Sequence, residues 1–324
     1  MTPRQRFAET MRLGRPDRVP LLAEGLRDEV LTAWRDQGLP ADADLDAMFG
    51  YDRRERVEID LGPRPEIETY PTSRPGLKAF ARHFDPADPA RLPADWPDKA
   101  RAWVRREHLL ELPIHSGLFL SMGVNDWRRL EELLYQIADA PDLVHEMMVI
   151  RGEFLAAMAE RVLADVQVDF ASFSEPIAGS NGPVVSPRTY ARVVLPSYRP
   201  ILDALRAGGV ETVVLVTYAN PRPLLPAVVE AGFDCLWACE ADPAAMDYRD
   251  IRRTFGRRLR LIGGIDLDAV RAGSDAIDRE IRTKVPPLLA EGGYIPLADG
   301  RVRADIPFAH YAHYRRVLQD ITAG

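Results

Sequence analysis

Five apolar segments dominate the second half of this chain, and each is followed by a helical pattern rather than a hairpin. They are VDFASFSE (168–175), ETVVLVTY (211–218), DCLWACE (234–240), LRLIGGID (259–266) and GGYIPLAD (292–299). Ser186-Pro187 supplies an N-cap followed by a proline at the first helical position, and the helix it opens runs to Gly208-Gly209. Gly232 stops a short helix over 221–232, and Gly256 stops another over 246–256. LDAVRAG (267–273) opens a further helix, and 306–321 carries aromatic and aliphatic residues at helical spacing. Strands that are apolar on both faces and joined by helices form a parallel sheet buried on both sides. RVPLLAEG (18–25), VEIDL (57–61) and LPIHSGLFL (112–120) add three expected strands. Eight such strands are the number that closes a (β/α)₈ TIM barrel, an α/β fold of ~250 residues or more.

The 324 residues then make a single domain, 1–324, with one interruption. Segment 62–100 holds Pro63, Pro65, Pro71, Pro75, Pro86, Pro89, Pro93 and Pro97 and lacks periodicity. It reads as a Pro-rich insertion over the surface, either a lid or a passive excursion. The formal charge of −7 argues against nucleic acid as a partner, because neutralising phosphates needs a cationic field. No apolar run reaches the ~20 residues of a membrane span, and the charged start MTPRQRFAETMRLGRPDRVP does not resemble a signal peptide. A cytoplasmic location is therefore expected.

At a barrel mouth the site gathers at the carboxyl ends of the strands. The expected catalytic residues are Asp299, Glu175 and Tyr218, with Arg301, Asn220, Glu240, Asp266, His115, Glu24 and Arg27 binding substrate. Carboxylates converging with an arginine suit acid–base work on a small anion. Asp299 stands out because it ends an apolar strand two residues before Arg301. Burial would raise its pKa, or Arg301 would hold it ionised. Its alternative role is to cap the Gly300 turn. Cys235 and Cys239 share a strand face with Trp237, a face expected to pack on helices, and no nearby His completes a zinc set. Gly263-Gly264-Ile265-Asp266 is not a phosphate-loop pattern, and no Gly-x-Ser-x-Gly elbow is present.

RLGRPDRVPL, SNGPVVSPRTYARVVLPSYRPILDALRAGGV, LIGGIDLDAVRAG and EGGYIPLADGRVRADIPFAHYAHY together resemble the uroporphyrinogen decarboxylase superfamily. The resemblance covers most of 1–50 and nearly all of 121–321, and it implies a barrel with a deep cleft at the strand ends. That superfamily includes cobalamin-linked methyltransferases, some of which use zinc to activate a thiol. The haem-pathway enzyme grips substrate carboxylates with an Arg-rich signature after its first strand. Here that place reads LLAEGLRDEVL, with only Arg27 to stand in, so uroporphyrinogen itself is not the expected substrate. The zinc methyltransferases carry His-x-Cys where this chain has Val216-Thr217-Tyr218, and a Cys near Leu297-Ala298, so no metal is expected. Similar uncharacterised sequences carry Asp-x-Asp-Gly-Asn and Asp-His at these places, of which Asn220 and Asp299 remain.

The resemblance thus implies a divergent member of the superfamily. The first expectation is a cofactor-independent decarboxylase or C–C lyase acting on a small carboxylated substrate. The alternative is a corrinoid- or folate-linked methyltransferase lacking the zinc site, with a corrinoid protein as partner. The third is a non-catalytic binding protein. Members of the superfamily often form homodimers.

Overall fold

The computed structural model describes every residue except Glu24, Asp242 and Gly324. Among the described residues the main sheet has seven strands, all parallel: β1 (Arg54–Arg56), β2 (Leu109–His115), β3 (Phe170–Glu175), β6 (Val213–Tyr218), β7 (Cys235–Cys239), β8 (Arg260–Asp266) and β9 (Tyr294–Asp299). They lie side by side in chain order, each parallel pair joined by a long crossover connection. The remaining two, β4 (Ala178–Gly179) and β5 (Gly182–Pro183), form a small antiparallel ribbon after β3. No hairpin is expected from the sequence, yet Ser180-Asn181 makes a two-residue turn between the paired Gly179 and Gly182. The ribbon turns back over the rim, where the Asn220 N–H donates to Gly179 O at 3.2 Å.

The sheet curls around an apolar interior. Leu109, Phe170, Val214, Cys235, Ile262 and Ile295 pack there with Leu22, Phe7 and Met11. The Arg54 guanidinium lies 4.9 Å from the Trp237 ring centre, which brings β1 against β7 across the interior. Two clusters outside the sheet hold the helices, among them Pro141–Leu163, Leu195–Ala207, Ser274–Glu291 and Phe308–Thr322.

The five strands expected in the second half form within two residues of their expected bounds. The first half differs. The strand expected at 57–61 is instead Arg54–Arg56, and the one expected at 112–120 is Leu109–His115. Among the described residues of 18–25 no ladder forms, and the segment is held by side chains instead. Buried Asp52 accepts from Arg6, Arg18 and the Leu21 N–H, while Arg315 donates to Leu22 O at 3.2 Å. Cys235 and Trp237 face the interior rather than the helices, because β7 turns that side of its pleat inward.

Segment 62–100 is not merely extended. It contains helix Leu77–Ala81 and the start of helix Trp96–Trp103, and packs on Pro141–Leu163. Arginines fasten its irregular backbone: Arg91 donates to Gly62 O and His83 O, Arg151 to Leu61 O and Arg161 to Pro86 O. A buried guanidinium with several donors can satisfy carbonyls that no strand or helix would reach.

Candidate active site

A cavity of ≈ 580 Å³ opens at the carboxyl ends of the parallel strands, the end where α/β proteins place their sites. β1 contributes Arg54 and Arg56, β2 contributes His115, and β3 contributes Ser172 and Ser174. Tyr218 comes from β6, Trp237 and Cys239 from β7, and Arg301 from just beyond β9. Another hollow, at the opposite end of the sheet, has its arginines paired: Arg4 and Arg106 with Asp169, and Arg12 with Glu211.

Electrostatically the first cavity is cationic. Glu111, fully buried on β2, takes Arg56 at 3.1 Å, lies 3.3 Å from Arg54 Nη1 and accepts from Ser172 Oγ at 2.6 Å. One carboxylate therefore serves two guanidiniums, and Arg54 Nη1 keeps no hydrogen bond of its own. Burial pulls the Arg54 pKa down, opposed by Glu111. Arg301 is exposed and no carboxylate among the described residues pairs with it. The Cys239 thiol is pushed up to about 12 by burial and by Asp299, so it stays a thiol and is a poor nucleophile or metal ligand at neutral pH. Among the described residues no three His, Cys, Asp or Glu side chains are grouped to hold a metal.

Asp299 lies beside this wall, between wall residues Ala298 and Gly300. Its Oδ1 accepts the Gly264 N–H at 2.8 Å. The carboxyl leans over β8 where Gly263 and Gly264 have no side chains: a Cβ on Gly263 would come within 2.4 Å of Asp299 Oδ1. Part of Asp299 is open to solvent, yet burial of its carboxyl is the largest influence and raises its pKa well above the usual range. Gly264 and Lys284 oppose the shift, and Asp266 and Glu280 add to it.

Glu175 is placed differently. Ser172 and Ser174 take the cavity side of the β3 pleat, and Ala171, Phe173 and Glu175 take the helix side. The buried Glu175 carboxylate accepts from Tyr190 at 3.1 Å, from Tyr198 and from the Leu118 N–H at 3.0 Å. Tyr190 opens a π-helical turn, Tyr190–Val194, a distortion that often accompanies functional regions. Burial pushes Glu175 up to about 7 despite these three bonds. The folded state therefore keeps a proton that the unfolded chain has lost, and stability falls as pH rises from about 4.5 towards 7. The span corresponds to about 3 kcal/mol. Urea unfolding at pH 5 and pH 8 is expected to show that loss in the native protein and to lose it in Glu175→Gln. Equal pH slopes in the two proteins would contradict this assignment.

His115 joins cavity and cluster. Its ring stacks on Phe173 and meets Tyr198 edge-on at 4.5 Å, and Nδ1 accepts the Gly117 N–H at 2.7 Å. That bond assigns the proton to Nε2, which has no hydrogen-bond partner. Burial, then Arg151, lowers its pKa well below the ordinary histidine value, so the ring is neutral.

The other expected residues lie apart from the cavity wall. Asn220 accepts the Arg222 N–H, and Asp266 caps the helix Leu267–Ala272 through the Asp268 N–H. Glu240 pairs with Arg303 at 3.1 Å on the surface, and Arg27 lies 3.7 Å from Glu29. Glu24 lies outside the described residues. Sequence reasoning missed Arg54, Arg56 and Glu111. The alternation Arg54-Glu55-Arg56 was the available signal, because it sets two cations on one face of a strand.

Residues 122–297, more than half of the chain, match the family model for uroporphyrinogen decarboxylase (URO-D). The chain belongs to the uroporphyrinogen decarboxylase family. Among solved structures it is similar to a methyltransferase from Methanosarcina mazei, with a TM-score of 0.61 and 13% identity over 99% of this chain and 98% of that one. At that identity the likeness concerns the fold. The comparison with curated proteins gave no match. Among the described residues, no helix is long and apolar enough to cross a membrane.

Proposed function

We propose that this protein is a cofactor-independent decarboxylase, or related carbon–carbon lyase, acting on a small carboxylated substrate in the ≈ 580 Å³ cavity. The observation that carries the reading is the imbalance of charge there: Arg54, Arg56 and Arg301 face one buried carboxylate, Glu111. The guanidiniums hold substrate carboxylate by paired N–H donors. Asp299, whose pKa burial raises well above the usual range, is the proton donor, and Tyr218 orients the substrate. The overall step is R–COO⁻ + H⁺ → R–H + CO₂. Protonating the substrate creates an electron sink, the C–C bond breaks heterolytically, and the pair left behind ends as a C–H bond. Catalysis comes from stabilising the charge that moves, and a positioned acid contributes about 10²–10⁴-fold.

In this reading residues 1–324 are one (β/α)₈ barrel with 62–100 as an insertion. The extended segment at 19–23 completes the barrel between β9 and β1. Leu22 in the interior and Gly25 on the cavity wall support that placement.

A second reading, a corrinoid- or folate-linked methyltransferase docking its partner over the mouth, draws on the fold shared with the Methanosarcina mazei methyltransferase. One assay separates them: a panel of small carboxylic acids is incubated with the protein, and CO₂ and methyl transfer to a corrinoid are both followed. CO₂ release without methyl transfer is expected. Methyl transfer with no CO₂ from any acid would replace the first reading by the second.

A further inference from the structure

The number and placement of the cations say more than that the ligand is anionic. Arg54 and Arg56 sit together on β1 and share Glu111, which leaves that group one positive charge in excess. Arg301 brings a second, from the loop after β9. Both groups lie near the same wall residue, since Arg301 and Arg54 each lower the Cys239 pKa, against the larger opposing influences of Asp299 and Glu240. The two excess charges therefore belong to one cavity yet stand on separate segments of the chain. The same wall carries apolar side chains, Trp237, Val216 and Leu297, and the Arg54 guanidinium lies over the Trp237 ring.

Resting on the carboxylate reading above, we infer that the substrate is a dicarboxylate: one carboxylate on Arg54 and Arg56, the other on Arg301, with an apolar spacer against Trp237. A single phosphate would concentrate both charges on one group, for which cations on two segments are poorly arranged.

Equilibrium binding to the full chain tests this with butyrate, succinate, glutarate and inorganic phosphate as probes. Succinate or glutarate is expected to bind at least about tenfold more tightly than butyrate and phosphate. Arg301→Gln, at an exposed position with no ion pair among the described residues, is expected to bring the better dicarboxylate to within about threefold of butyrate. Equal affinity for mono- and dicarboxylates overturns the inference and leaves the carboxylate site standing. Preferential binding of phosphate also overturns it. If no carboxylate binds at all, the carboxylate reading itself fails, and this inference with it.

Discussion

Asp299→Asn is expected to lower kcat by about 10²–10⁴-fold while the protein stays folded. Asn keeps the oxygen that accepts the Gly264 N–H at 2.8 Å, so the loop keeps its anchor. What Asn lacks is a proton to give. The same carboxyl sets the pH dependence: its pKa lies well above the usual value, chiefly through burial, so the acid form persists at higher pH than for an exposed Asp. Activity that needs the acid form is retained on the acidic side and lost as pH rises through that raised pKa. Stability runs the same way. The unfolded chain releases this proton near 3.8 and the folded one later, so ionisation costs stability across that window. Asp299→Asn should remove this slope along with the activity. Full turnover in a folded Asp299→Asn protein would leave Asp299 as a capping residue.

Gly263→Ala is expected to cost about 2–4 kcal/mol of stability and most of the activity. Two causes act together. Gly263 has φ +115°, a backbone region that strains any residue with a side chain. The new methyl carbon would also lie 2.4 Å from Asp299 Oδ1 and 3.0 Å from Tyr248 Oη, so the carboxyl must leave its place. Urea unfolding reads the first effect and steady-state rates the second. Native stability in this variant would show that the carboxyl has room the structure does not give it. Because the substitution leaves Asp299 chemically intact, lost activity in the protein that remains folded would tie catalysis to where the carboxyl sits.

How much of this was legible in the sequence varies with what each strand packs against. β6, β7, β8 and β9 are buried on both faces and announce themselves as apolar runs. β1 does not, because Arg54 and Arg56 turn towards a cavity and are matched by Glu111, a partner 55 residues from Arg56. Hydrophobic periodicity cannot show a strand whose inward side chains are charged. The pairing of Ser172 and Ser174 against Glu175 was available from the pleat alone, since neighbouring residues on a strand face opposite ways. The path of 62–100 was not available. Its backbone is fixed by Arg91, Arg151 and Arg161, and guanidinium-to-carbonyl contacts leave no local pattern. Asp299 was legible as a strand-end carboxylate. That Gly263-Gly264 makes room for it needed the register of β8 against β9, Gly264 opposite Leu297 and Asp266 opposite Asp299.

The account stands on the cavity at the strand ends being a carboxylate site with Asp299 at its edge. The most direct measurement is a crystal structure with succinate bound. One carboxylate should lie within hydrogen-bonding distance of Arg54 or Arg56, the other should engage Arg301, and the carbon chain should run past Trp237 towards Asp299. Succinate bound only elsewhere on the protein, with these three guanidiniums left in water, would contradict it.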